Sequence, residues 1–311
     1  MRLSAVACLV PAFSIALTAV SATAAEPSRV LFVTQSEGFT HNAVKRQQQP
    51  LAPAEIAMKQ LGEQTGLFTV DSTQEVEADF TRENLQNYDI VAFYTTGNLP
   101  IPEADRDYFF QEWLPTAGHG VIGFHSAADT YHNYEPYWDM IGGTFIGHAW
   151  NAGNTVTLRI HDAEHPLSKP FADAAQLESD DFGDPGYRHR DEIYQYRHWQ
   201  PEQVHVLMSL DYSASPTDKG IRVEDGYHVP VMWARDYGEG KVVFNNLGHN
   251  NATWTSQPML DSIVQSVKWI RGEIEADARP NPDVSAEQEA KARREFEAGD
   301  FTLAPPKKSK K

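Results

Sequence analysis

The segment Val121-Ile-Gly-Phe-His-Ser-Ala-Ala-Asp129 constrains this chain more than any other. An apolar run stops abruptly in small residues that carry one imidazole and, four residues on, one carboxylate. Two earlier runs end in the same way. Arg29-Val-Leu-Phe-Val-Thr34 enters a polar loop with Gly38, and Tyr88-Asp-Ile-Val-Ala-Phe-Tyr94 closes on Thr95-Thr-Gly97. Short apolar runs bounded by turn residues read as strands covered on both faces. Leu67-Phe-Thr-Val70 and Gly120 to Phe124 read as strands too, while Leu51 to Gly66 and Pro102 to Leu114 have helical spacing, the latter with proline in its first turn. Strands alternating with such helices give a parallel sheet between two helical layers.

The second half changes rhythm. Asn154 to Ile160, Asp191 to Tyr196, Val204 to Leu210, Val229 to Ala234 and Lys241 to Asn246 read as strands with few helices between, so they extend the sheet or add antiparallel strands to it. Tyr237-Gly-Glu-Gly240 is a hairpin turn between the last two. Pro258 to Arg271 is an amphipathic helix that packs Trp269 on the sheet. Beyond Gly272 the chain turns polar. Residues 29–272 therefore form the domain, and residues 273–311 a polar tail with an exposed helix at Ser285 to Ala298 and a solvated lysine-rich end. The Asp- and Gly-rich stretch Ser179 to Tyr187 lacks the spacing of a calcium loop and reads as a plain acidic loop.

Residues 1–25 have the layout of a secretory leader: Arg2, an apolar stretch, and Ala22-Thr-Ala24 before Ala25 as the cleavage site. Cleavage removes Cys8, the single cysteine, and leaves a chain with neither disulfide nor thiol nucleophile, which suits a periplasm. A net charge of −17 argues against nucleic-acid partners and anionic membranes, because phosphate contacts need clustered Lys and Arg. No stable membrane insertion is expected, and the sequence leaves the oligomeric state open.

Of the twelve histidines, four stand beside glycine or at strand ends: His41, His125, His148 and His249. In a doubly wound sheet, loops at the carboxyl ends of neighbouring strands share one crevice, so these imidazoles can converge. Imidazoles with a carboxylate suit a divalent metal such as zinc or manganese. His125, His148 and His249 form the expected ligand set, with His41 on the substrate side. Asp129 shares a face with His125 if a helix begins there, and Glu192 is a candidate general base. Trp150, Tyr194, Trp233 and Trp254 are candidate stacking surfaces for sugar rings, although Trp233 also suits a core position. His161, His189, His198, His205 and His228 lack the glycine context and read as surface or structural residues. His165-Pro166 reads as a turn.

Taken in order, Gly38-Phe-Thr-His41, Gly120 to Thr130, Gly142-Gly-Thr-Phe-Ile-Gly-His148, His165-Pro166, Asp191-Glu-Ile-Tyr194, Pro230-Val-Met-Trp233 and Tyr237 to His249 resemble the ThuA-like (trehalose utilisation) family. The resemblance implies a variant of the class I glutamine amidotransferase-like fold: a flavodoxin-like α/β three-layer sandwich with a mainly parallel sheet and added antiparallel strands. His125 falls near the position of the cysteine nucleophile of that fold. The resemblance also implies a small carbohydrate substrate, a place in disaccharide or 3-keto-glycoside metabolism, and no nucleotide cofactor. Two functions remain open. One is an exported keto-sugar lyase, hydrolase or isomerase in which Glu192 or His125 abstracts the proton beside a C3 carbonyl polarised by a metal. The other is a non-catalytic sugar-binding or scaffold protein. A Ser126 hydrolase fits less well, because Ser126 is offset from the nucleophile position.

Overall fold

In the computed structural model, which describes residues 26–305, alternate residues of the first strand serve two cores. The chain begins β1 (Ser28–Val33), α1 (Pro53–Thr65), β2 (Phe68–Thr73), the short helices α2 (Val76–Asp79) and α3 (Arg82–Leu85), β3 (Ile90–Phe93), α4 (Glu103–Tyr108), β4 (Gly120–Phe124) and α5 (Glu135–Ile141). It continues through β5 (Thr144–Trp150), β6 (Thr155–Ile160), α6 (Lys169–Asp173), β7 (Gly186–Arg190), β8 (Ile193–Arg197), β9 (His205–Leu210), β10 (Pro230–Tyr237), β11 (Gly240–Asn245), α7 (Gln257–Ile270) and α8 (Pro282–Ala298). Val30 and Phe32 pack in the layer of α1 and α7, with Met58, Leu61, Ile263 and Val267. Leu31 and Val33 pack on the opposite face with Phe109, Trp113, Tyr137 and Ile141. The period-two alternation of a strand thus explains why β1 is apolar throughout.

The main sheet has nine strands in the order β2-β1-β3-β4-β11-β10-β9-β6-β7. The first five are mutually parallel. The order matches a flavodoxin-like 2-1-3-4-5 sheet with β11 as fifth strand, and this is the expected α/β sandwich. From β11 outward every pairing is antiparallel. Those reversals return β7 to the direction of β1, so β7 delivers Asp191 and Glu192 to the sheet edge where β1, β4 and β11 also end. β5 and β8 pair separately as a two-stranded antiparallel ribbon.

Several elements differ from the sequence reading. The Gly142 to His148 motif leads into a strand, β5, in which Ile146 is buried and Phe145 half-buried against the domain. β7 takes up the last two residues of the stretch read as an acidic loop, since Gly186 to Arg190 pair with Thr155 to Arg159. The 102–114 helix divides into α4 and a π-turn, Phe109–Trp113, which inserts both Phe109 and Trp113 into the core. α8 begins at Pro282 and is less exposed than expected. Its Ser285, Gln288 and Ala292 are buried, and Glu289 accepts from the Tyr227 and His228 backbone N–H groups. The leader read in residues 1–25 and the lysines of 306–311 lie outside the described residues. Among the described residues, no helix is long and apolar enough to cross a membrane.

α1 does more than cover the sheet. Its Glu55 is fully buried, accepts from the Thr34 hydroxyl at 2.5 Å, and pairs with Arg46 at 2.9 Å. The loop between Thr34 and Arg46 is therefore tied at both ends to one helix. Within α1, Gly62 packs directly against β2. Replacing glycine by alanine in a helix normally gains about 0.5–1 kcal/mol, but a Cβ here would be driven into the Phe68 carbonyl oxygen and ring. Overpacking of this kind costs about 1–3 kcal/mol, so Gly62→Ala is expected to lower the urea midpoint. An unchanged or raised midpoint would mean that α1 can move away from β2.

Candidate metal centre

His41 occupies the loop held by Glu55 and caps the short 3₁₀ turn Asn42–Val44. His125 follows β4 directly and takes a φ of +41°, a left-handed conformation that costs a non-glycine residue on the order of 1–2 kcal/mol. That bend directs its ring inward, where Nδ1 donates to the Asn246 carbonyl at 2.7 Å. The tautomer follows from the acceptor, and Nε2 keeps its lone pair for the centre.

His249 and Glu192 depend on two buried polar residues. Asp191 is fully buried and accepts from the Gly248 N–H and the Thr253 hydroxyl, each at 2.8 Å, and from the Asn250 N–H at 3.0 Å. It thereby folds the loop that carries His249. Asn246 is also fully buried. Its Oδ1 accepts from the Tyr194 N–H at 3.1 Å and the Tyr196 hydroxyl at 2.8 Å, and its Nδ2 donates to the Glu192 carbonyl at 2.9 Å. Between them lies Gly248, at φ +135°, a backbone conformation that residues bearing a Cβ rarely adopt. Its carbonyl accepts from both the Tyr94 hydroxyl and the Trp254 indole at 2.9 Å.

The outcome is a compact cluster. The His41 ring centroid lies 4.8 Å from that of His125 and 4.9 Å from that of His249. Glu192 Oε2 is 3.1 Å from His249 Nδ1 and 3.5 Å from His125 Nε2. One ligating atom from each of His41, His125, Glu192 and His249 falls within 4.8 Å of all the others. The Nδ1 atom of His41 is buried with no hydrogen-bond partner. A buried imidazole nitrogen left unpaired is costly, and a cation would satisfy it. Three imidazoles and one carboxylate are a suitable N/O donor set for zinc or manganese.

The electrostatics agree with the crowding. Burial, together with the His125 and His249 imidazoles, brings the His41 pKa down to about 2, so that ring stays neutral. Burial alone would raise the Glu192 carboxyl, but the hydrogen bond from His249 and the neighbouring His125 and His148 imidazoles hold it well below the usual carboxylate range. For His249, burial opposes protonation, yet the hydrogen bond and charge of Glu192 outweigh it and raise the pKa. Burial lowers His148.

Some expected site residues fall elsewhere. His148 lies on β5 outside the four-residue group and contacts Glu192 Oε1 through Nδ1 at 3.1 Å. His41 joins the cluster itself. Asp129 does not share a face with His125, because His125–Asp129 is a 3₁₀ turn in which residues three apart eclipse; its carboxylate contacts His132 at 2.7 Å. Trp150, Trp233 and Trp254 are at most 1% exposed, so none can stack on a sugar. Their indoles donate to the Ser215, Ile141 and Gly248 carbonyls. Tyr194, 2% exposed, packs under the cluster with its ring 4.3 Å from His125 and its hydroxyl 3.4 Å from His41. Among the five histidines set aside as surface or structural, His161 bonds Asp184 and Ser209, and His189 bonds Thr253. The sequence reading missed Asn246; an amide immediately after the apolar run of β11 was the available signal.

Asn246→Leu leaves the Tyr196 hydroxyl, the Tyr194 N–H and the Glu192 carbonyl without partners. At about 1–3 kcal/mol for each stranded buried group, a loss of about 3 kcal/mol or more is expected in urea unfolding. Wild-type stability in this variant would show that the amide does not hold the site together.

Comparison with known proteins bears on the family and the fold. The family model described as ThuA, trehalose utilisation, matches residues 29–270. A solved protein described as ThuA-like from Bacteroides uniformis ATCC 8492 aligns with a TM-score of 0.57 at 20% identity, covering 85% of this chain and 99% of that one. Another, from Parabacteroides merdae ATCC 43184, gives 0.57 at 16% identity over 83% of this chain and 98% of that one. At such identities the likeness establishes the fold. No curated protein matches the sequence. The family match spans most of the chain, and the protein belongs to the ThuA family of trehalose utilisation.

Proposed function

We propose that this protein is a metal-dependent enzyme of disaccharide utilisation that acts on a glycoside or its 3-keto form. One observation carries the reading: four ligand-type side chains from separate loops converge within 4.8 Å, and one of them has a buried, unpaired nitrogen. His41, His125, Glu192 and His249 would hold the cation. When bound, a divalent cation supplies Lewis acidity toward a substrate oxygen.

The depressed Glu192 carboxyl is a weak proton acceptor, which favours a ligand role over that of general base. Proton transfer then falls to His148. Its Nδ1 faces two acceptor oxygens, Glu192 Oε1 and Asn151 Oδ1, each at 3.1 Å, so Nδ1 carries the hydrogen and Nε2 keeps a lone pair. Its side chain is 31% exposed, against 23% for His249 and 0% for His125, and so it is the imidazole around Glu192 nearest solvent. In a 3-keto-glycoside the carbonyl acidifies the C2–H. His148 Nε2 takes that proton, the C1–C2 double bond forms, and the C1–O bond breaks. The same imidazole returns the proton to the departing glycosidic oxygen, and water then adds across the double bond. The leader read in residues 1–25 would place this chemistry outside the cytoplasm.

The test combines metal analysis with turnover. The purified protein should take up about one zinc or manganese ion per chain. Glu192→Gln should weaken that uptake at least about tenfold, and the loaded wild type should consume 3-ketotrehalose. Absence of stoichiometric metal uptake would defeat the centre. Tight sugar binding with no turnover of trehalose or 3-ketotrehalose would instead make the protein a sugar binder.

A further inference from the structure

We propose that Phe39 is a sugar-stacking platform beside the metal centre, receiving the C–H face of the second pyranose ring of a disaccharide whose first ring lies at the cluster. The inference rests on the carbohydrate reading above and adds to it a binding subsite and a preference for two-ring substrates.

Phe39 is 65% exposed, more than Ile56, Phe182 or Leu303, the other large exposed apolar side chains among the described residues. An isolated exposed apolar residue needs no explanation, but the position of this one does. Its ring meets the His41 ring edge-on at a centroid distance of 4.9 Å, and His41 is itself in contact with His125 and His249. Phe39 thus touches the cluster through His41 while most of its ring faces solvent.

The backbone beneath it is fixed. The Glu37 N–H donates to the Thr96 carbonyl at 2.9 Å, and the Gly38 N–H donates to the Thr96 hydroxyl at 3.1 Å. That hydroxyl donates in turn to the Phe39 carbonyl at 3.0 Å, and Thr96 is fully buried. Ser36 and Thr96 also form a parallel bridge. Three consecutive residues are therefore locked to the end of β3. Ordering an exposed aromatic ring on a rigid support serves a ligand with a flat apolar face, because little side-chain freedom remains to be lost on binding.

A pyranose ring with equatorial hydroxyls presents such a face. The other aromatic side chains near the cluster are already engaged. Phe145 packs on Tyr194 at 4.1 Å and lies parallel to the His148 ring at 6.2 Å. Tyr194 is sealed beneath His125. Phe39 is the ring with area to offer.

The experiment is calorimetric titration of the zinc-loaded full chain with trehalose and with methyl α-glucoside, its one-ring counterpart. Phe39→Ala should weaken trehalose binding about tenfold while changing methyl α-glucoside binding less than about threefold, with zinc content unchanged, on the scale of aromatic stacking. Phe39→Trp should retain trehalose affinity, and its fluorescence should shift when trehalose is added. Trehalose affinity in Phe39→Ala equal to wild type overturns the platform alone. So does an equal loss for both sugars, since that marks a general disturbance of the centre. If the wild type binds neither sugar, the carbohydrate reading falls and the platform falls with it.

Discussion

The hydrogen-bonded amide of Asn246 is the interaction on which the rest of this site depends. It lies at the end of a core strand, and its five polar contacts reach three separate parts of the chain. Its carbonyl orients His125, its side-chain oxygen takes Tyr194 and Tyr196, and its side-chain nitrogen fixes the backbone of Glu192. Its own N–H closes on Val231. A buried polar network is favourable only when every member is satisfied, and here the side-chain amide is satisfied on both its oxygen and its nitrogen. Asp191 performs the matching task one residue before Glu192, gathering the N–H groups of the loop that bears His249. The parallel sheet sets the edge at which these loops meet. The amide and the carboxylate decide how closely they meet.

The centre is assembled against local energetic preference. His125 adopts a backbone conformation that side-chain-bearing residues avoid, and His41 is desolvated far enough to lose its charge. Neither serves the core, where apolar residues would be cheaper. One strained backbone position, at His125, and one unpaired buried nitrogen, on His41, thus meet in the same strand-end cluster.

Much of the architecture was legible in the sequence because parallel strands are apolar on both faces. β1, β3 and β4 stand out as short runs ending in small residues, and the Gly-Glu turn between β10 and β11 declares itself by composition. Three of the four cluster members were visible as histidines at strand ends. What the pattern could not reveal was which of them share a volume. The pattern puts His148 in the ligand set and His41 on the substrate side, but the pairing of β5 with β8 places His148 beside Glu192 Oε1, outside the four-residue group. The three tryptophans were misread as ligand surfaces because an indole in a mixed apolar setting carries no signal for its depth. Phe39, in a polar loop, gave no reason to be singled out until the Thr96 contacts fixed its position.

The insertion of six strands between β4 and β11 has a consequence for assembly. Gly120 pairs with Lys241, so the neighbours at the middle of the sheet are far apart in the chain. Closing so long an interval is entropically expensive, and contacts of high sequence separation form slowly. As the chain emerges during synthesis, β1 to β4 can gather early and bring His41 and His125 together, but Glu192 and His249 join only after β7 and β11 have docked. The early half offers imidazoles without their carboxylate. The order of the strands therefore works as a timer, delaying completion of the four-residue cluster until the sheet is complete.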